Sequence, residues 1–210
     1  MIDYINTTYS RHIVTIEDPI EFVHQNKKSI IVHREVGEHT HAFADALKGA
    51  MRHDPDIILL GELRDLETIQ LALSCASMGM LVFGTLHTNN APKTIDRIIN
   101  AFPADEQNQV RTMLASCLAG VVSQLLCKRT GKGRIAVHEI LLPHEALPNT
   151  IRSGQIANIR QLIEGSGAEG MCTMDQTLMA RVKDRSISPE EAYLKCTNKS
   201  LFAGMVKGES

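Results

Sequence analysis

The stretch Met51-Arg52-His53-Asp54-Pro55-Asp56-Ile57-Ile58-Leu59-Leu60-Gly61-Glu62-Leu63-Arg64-Asp65 decides how the rest of the chain is read. Its centre, Ile57 to Leu60, is an unbroken apolar run too short for a helix and closed by Gly61-Glu62. A strand with one wet face alternates apolar and polar residues. An unbroken run instead suits a strand covered on both faces, as in a parallel α/β sheet. Working outward, His12 to Ile16 is a β-branched run that stops at Glu17-Asp18-Pro19, and Ile30 to His33 is another. Leu81 to Leu86 stops at His87-Thr88-Asn89, and Arg134 to Leu142 gives one more candidate strand.

Helical patterns lie between these runs. Thr40 to Arg52 sets Phe43, Leu47, Ala50 and Met51 on one face, and Asp65 to Met78 does so with Ile69, Leu73 and Ala76. Asp105 to Leu126 carries Val110, Met113, Leu114, Leu118 and Val121, with Val122 and Leu125 extending the stripe. Strand and helix alternate over the first two-thirds, which predicts an α/β core over 1–143. From about His144 the pattern changes to short helices broken by Pro148, Gly154 and the run Gly165 to Gly170. Ser188-Pro189-Glu190-Glu191 has the chemistry of a helix start, so 144–210 is expected to be a C-terminal helical subdomain.

A net charge of −2 supplies no global positive field, so nucleic acid is not an expected partner. The five cysteines are scattered without a C-x-x-C pair, which argues against a disulfide framework or structural zinc. The opening residues MIDYINTTYSRH lack a signal-peptide pattern, and the apolar stretch Leu114 to Cys127 is interrupted by Ser, Gly and Gln. A cytoplasmic protein is expected.

In an open parallel sheet, ligands bind beyond the carboxyl ends of the strands. Three of the runs end there in Glu17-Asp18, Gly61-Glu62 and His87. Two acids and an imidazole on one edge suit a phosphate–metal ligand: one acid orients water, the other holds a magnesium shell, and the imidazole contacts the γ-phosphate.

These residues carry a resemblance. Met51 to Asp65 is similar throughout to the signature of the type II secretion/type IV pilus ATPase family: aliphatic-Arg-x-x-Pro-Asp, four hydrophobics, Gly-Glu-x-Arg-Asp. Thr15 to Phe22 (TIEDPIEF) resembles that family's Asp box, and Leu81 to Asn89 (LVFGTLHTN) its His box. Downstream, Lys93 to Asp105 and Gly170 to Leu178 resemble the pilus-retraction branch, PilT and PilU. The resemblance implies a RecA-like P-loop NTPase core that uses ATP and Mg2+, working as a homo-hexamer against an inner-membrane platform protein. The protein would then sit in the cytoplasm, peripheral at the inner membrane through its partners. It implies Glu17 as general base, Glu62 as the Walker B-type acid beside magnesium, and His87 as the γ-phosphate contact. Asp18, Arg34, Arg64 and Thr88 become candidates for nucleotide-binding or inter-subunit contacts.

The chain departs from that pattern in places. No G-x-x-x-x-G-K-[ST] run occurs, and Thr130-Gly131-Lys132-Gly133 reads as a hairpin turn. Met1 to Asn6 resembles the tail of the helix that follows the P-loop, so the loop, the first strand and an N-terminal domain are expected upstream. Met80 stands where the retraction branch carries a second histidine. Ala146 to Ser153 keeps only Ala146, Asn149, Ile151 and Arg152 of a retraction-branch segment, and Pro148 there is expected to disturb a helix interior. Other eye-catching groups have plain readings: His39-Thr40-His41 lacks a third ligand, His138 is a structural histidine on a strand, and Arg181 to Arg185 is a solvated helix end. The leading expectation is the ATPase-domain portion of a twitching-motility, retraction or secretion motor, inactive by itself. The alternatives are a non-catalytic subunit that modulates an intact ring, and a metal-dependent hydrolase using Glu17, Glu62 and His87 directly.

Overall fold

The structure, a computed structural model, describes residues 1–206. In chain order it comprises α1 (Ile2–Thr8), β1 (His12–Glu17), β2 (Ile30–Glu35), α2 (Phe43–Ala50), β3 (Ile57–Leu60), α3 (Leu66–Ser77), β4 (Leu81–Gly84), α4 (Ala91–Ile99), α5 (Gln107–Cys117), β5 (Val121–Lys128), β6 (Arg134–Leu141), α6 (Leu147–Arg152), α7 (Ile159–Gly165), α8 (Met174–Lys183), α9 (Pro189–Lys195) and α10 (Ser200–Val206). These elements form two compact units: Met1–His87 with Asn100–Cys117, and Thr88–Ile99 with the chain from Leu118 onward. The parting does not follow the expected boundary between 143 and 144, because both the β5–β6 hairpin and α4 belong with the later helices.

The first unit is built on a parallel sheet of order β2-β1-β3-β4. Its strands are the unbroken apolar runs of the sequence, and β1 is buried from Ile13 to Ile16. One face, carrying Val14, Ile16, Ile58 and Leu60, packs on Phe43, Ala46, Leu47 and Ala50 of α2 and Ala72 and Cys75 of α3. The other face, carrying Ile13, Ile31 and Ile57, packs on Ile2 and Ile5 of α1. Asp65 caps α3, its carboxylate accepting the Thr68 N–H at 2.8 Å, so the last acid of the opening motif starts a helix.

The second unit is built on the antiparallel β5–β6 pair, in register from Val121↔Leu141 to Lys128↔Arg134. This corrects two expectations. The run 134–142 does not join the parallel sheet, and the helix expected over Asp105 to Leu126 stops at Cys117. Gly120 sets the change: a Cβ there would sit 2.9 Å from the Leu141 carbonyl oxygen. Beyond it Val121, Ser123 and Cys127 face inward while Val122, Gln124 and Leu126 face out, a period of two that the apolar stripe concealed. Residues 129–133 join the strands, as the turn reading of Thr130 to Gly133 expects.

Cys127 and Val137 of the hairpin pack on Met174, Leu178, Ala192 and Phe202 of the helices and on Ile187 between α8 and α9. Thr173 and Gln176 close a capping box at the start of α8, and Ser188 caps α9 with Pro189 in its first turn. Pro148 also lies in a first turn, that of α6, so it begins a helix there instead of breaking one. Asp175, 3% exposed, accepts hydrogen bonds from Arg160 Nη2 (2.8 Å) and the Thr197 and Asn198 N–H groups (2.8 and 3.0 Å). One buried carboxylate thereby ties α8 to α7 and to the start of the α10 segment, with every contact charge-assisted.

Candidate active site

Because β1, β3 and β4 are parallel neighbours, their carboxyl ends lie side by side. Glu17 is the last residue of β1, and Glu62 follows β3 by two residues. His87 follows β4 by three. The turn after β3 can pass close to β1 because residue 61 is glycine: a Cβ there would lie 3.3 Å from both Glu17 Cα and the Ile16 carbonyl oxygen. The segments after β3 and β4 are laced together by Leu63 N–H to the Thr85 carbonyl (3.0 Å) and by the Thr85 hydroxyl to the Gly61 carbonyl.

Glu62 is the hub. Its Oε1 lies 2.9 Å from His87 Nε2 and its Oε2 2.5 Å from Arg64 Nε. Arg64 Nη1 reaches on to Asp18 Oδ2 at 3.6 Å. The Arg64 hydrogen bond, with the Arg64 and His87 charges, holds the Glu62 carboxyl below its ordinary range against the opposing effect of desolvation. The Glu62 side chain is 19% exposed and that of His87 86%, so the imidazole stands out from the sheet edge while the acid is tucked beneath it.

Glu17 has a different environment. Its Oε1 lies 3.8 Å from His33 Nδ1, and among the described residues it is paired with no lysine or arginine. The β1–β2 register explains the neighbour: Thr15 pairs with His33 and Glu17 with Glu35, so all four side chains rise on one face. His33 is anchored by Thr15 Oγ1 at 2.9 Å from Nδ1 and by the His24 N–H, which Nε2 accepts at 3.2 Å. Glu35 in turn accepts the Ile20 N–H at 2.9 Å, fixing the loop after Asp18.

The structure therefore brings Glu17, Asp18, Glu62, Arg64 and His87 to one edge. Two other candidates make no hydrogen bond or ion pair to that cluster among the described residues. Arg34 pairs with Ile16, whose side chain lies in the α2-facing core, so it projects from the sheet face opposite Glu17. Thr88 falls in the second unit, where its hydroxyl meets that of Thr94 at 2.7 Å. No group of three or more His, Cys, Asp or Glu side chains among the described residues could hold a metal, which also covers His39 and His41.

Sequence reasoning missed His33 and Glu139. Glu139 is 6% exposed and its two oxygens accept the Ala91 N–H (2.8 Å) and the Met174 N–H (3.2 Å), at the first residues of α4 and α8. Strand parity was the available signal, since Val137, Glu139 and Leu141 share the buried face of β6.

Comparison with known proteins fits this geometry. The chain is 53% identical over 199 residues to a twitching motility protein of Neisseria gonorrhoeae, covering 94% of this chain and 53% of that protein. It is 52% identical over 195 residues to the type IV pilus retraction ATPase PilT of Pseudomonas aeruginosa, covering 93% and 57%. The crystal structure of the pilus retraction motor PilT with bound ADP superposes with a TM-score of 0.90 at 47% identity, over 98% of this chain and 58% of that one. The chain thus spans somewhat more than half the length of these relatives. The profile described as Type II/IV secretion system protein matches residues 1–131, and with the parallel sheet and its strand-end acids this establishes that the chain belongs to that family.

Proposed function

We propose that this chain is the hydrolytic portion of an ATP-driven motor of the pilus-retraction kind. The observation that carries the reading is the delivery of Glu17 and the Glu62–His87 pair to one edge by three adjacent parallel strands. Glu17 is the group that accepts a proton from the attacking water: it is nearly enclosed and, among the described residues, unpaired with any lysine or arginine, so its lone pairs are available. Glu62 is held anionic by Arg64 and His87 and acts as a fixed charge. Two carboxylates on one edge thus take different roles because their surroundings differ.

Magnesium, when bound with nucleotide, would neutralise charge developing on the phosphates. The residues present fit it through one carboxylate, Glu62, and most of its ligands would be phosphate oxygens and water, as is usual for this ion. His87, well exposed, is suited to reach a γ-phosphate or a neighbouring subunit, and Arg64, bridging Asp18 and Glu62, sets the distance between the two acidic loops. A homo-hexameric ring, a cytoplasmic location and a membrane platform as partner belong to the same reading. Its support is the relatives' printed roles, retraction motor and twitching motility.

The sequence contains no G-x-x-x-x-G-K-[ST] run, so the chain on its own has no lysine-bearing phosphate cradle and is expected to turn over ATP negligibly. The alternative reading is a non-catalytic subunit that joins an intact ring. A chimera separates the two. Residues 1–206 are joined to the preceding portion of the gonococcal relative, and phosphate release is measured. The hydrolytic reading expects turnover that falls at least a hundredfold with Glu17→Gln and with Glu62→Gln. Turnover indifferent to both substitutions would sink it, and a folded but inactive chimera would favour the non-catalytic subunit.

A further inference from the structure

The structure joins two basic segments that are far apart in sequence. The turn between β5 and β6, closed by the Arg129 N–H to the Gly133 carbonyl (3.2 Å), is flanked by Lys128, Arg129, Lys132 and Arg134. Lys183 closes α8, and Arg185 lies in the turn between α8 and α9. The Thr130 N–H donates to the Ser186 carbonyl at 2.8 Å, so the two turns lie against each other. All six cations are exposed, and among the described residues none has a carboxylate within 4.0 Å. The nearby acids are otherwise engaged. Asp184 pairs with Arg181 at 3.1 Å, and Glu191 lies 3.8 Å from Lys195 and accepts the Lys128 N–H at 2.8 Å.

Six uncompensated cations in a chain of net charge −2 make a strong local asymmetry. The array sits on two adjoining turns whose cations are all exposed. Such an array reads charge density, which is what a plane of phosphate headgroups presents. Leu126, 51% exposed, precedes Lys128 by two residues on the same outward face of β5 and can settle among acyl chains at the interface. We propose that the paired turns around Thr130 and Ser186 form a docking surface for an anionic phospholipid bilayer. The surface is independent of the proposed hydrolysis and uses none of its residues.

Vesicle flotation of this chain tests it, with bilayers of phosphatidylcholine alone or mixed with phosphatidylglycerol, at low and high salt. Binding is expected only to the anionic vesicles and should weaken sharply with salt. Each cation near such a surface contributes about fivefold to the partition coefficient, so Lys132→Glu/Arg134→Glu/Arg185→Glu should lower it at least about a hundredfold. Lys93→Glu/Arg97→Glu/Arg152→Glu, which reverses exposed cations away from the turns, should retain most of it. Circular dichroism confirms that both triple variants are folded. Equal binding to both vesicle types, equal losses in both variants, or capture of polyglutamate without vesicle binding would each overturn the proposal, the last in favour of an acidic protein partner.

Discussion

Replacing Glu139 with alanine removes one carboxylate from two helix starts at once. The Ala91 and Met174 N–H groups, 2.8 and 3.2 Å from its oxygens, would be left in a site where the glutamate is only 6% exposed. A buried donor stripped of its partner costs about 1–3 kcal/mol, and losing an anion at a helix N-terminus costs about 0.3–1 kcal/mol more. Against this stands relief of the cost of burying an anion for which no cation lies within 4.0 Å among the described residues. The net expectation for Glu139→Ala is a loss of about 2–4 kcal/mol. Glu139→Gln keeps the shape and one acceptor oxygen but turns an NH2 group toward the other donor, so about 1–2 kcal/mol is expected. The assay is amide hydrogen exchange read at Ala91 and Met174, where a local loss of about 2 kcal/mol accelerates exchange about thirtyfold. In the glutamine variant one of the two amides should quicken far more than the other. If both amides keep wild-type rates in Glu139→Ala, the carboxylate is not what holds these helix starts.

Two further outcomes follow from the first unit. Leu47, fully buried between α2 and the sheet, should lose about 2–5 kcal/mol on truncation to alanine, read as a lower urea midpoint, while Leu66→Ala, at an exposed position, should change it little. Asp56 accepts the His12 N–H at 2.8 Å and an Arg11 bond at 3.0 Å, the first being the larger cause of its lowered pKa. A carboxyl depressed in the folded state stabilises above its unfolded pKa, about 3.9, and the benefit is lost as pH falls through the folded value. The urea midpoint of the wild type should therefore fall more steeply below about pH 4 than that of Asp56→Asn, and parallel curves would refute the assignment.

Much of the first unit was legible because its signals are local. Ile57 to Leu60 is unbroken, and only a strand covered on both faces needs that, so a parallel sheet followed. Once strands are parallel, their polar stops must share an edge, and Glu17, Glu62 and His87 do. What stayed hidden depends on parity and pairing. Arg34 sits one residue from His33, yet the register with Ile16 and Thr15 sends the two to opposite faces, and only His33 reaches Glu17. Val121 to Leu126 reads equally as helix or strand from its apolar residues, and the conformation forced at Gly120 decides it. The contact between Thr130 and Ser186 has no signature in either segment, which is why one reads only as a hairpin turn and the other as a solvated helix end.

Strand parity also keeps the two strand-end acids from being interchangeable. Glu17 is still within β1, so its direction is fixed by pairing with Glu35 on one side and by the closeness of Gly61 on the other. It cannot turn toward Arg64 without leaving the face it shares with Thr15 and His33. Glu62 lies beyond the pairing of β3, where the chain is free to aim it at Arg64 and His87. An acid locked in a strand keeps its lone pairs clear of cations, while one in the following turn collects them. In the proposed hydrolytic reading one carboxylate takes a proton and the other stays charged, and the two are residues of the same chemical type, one closing its strand and the other two residues beyond the end of its own.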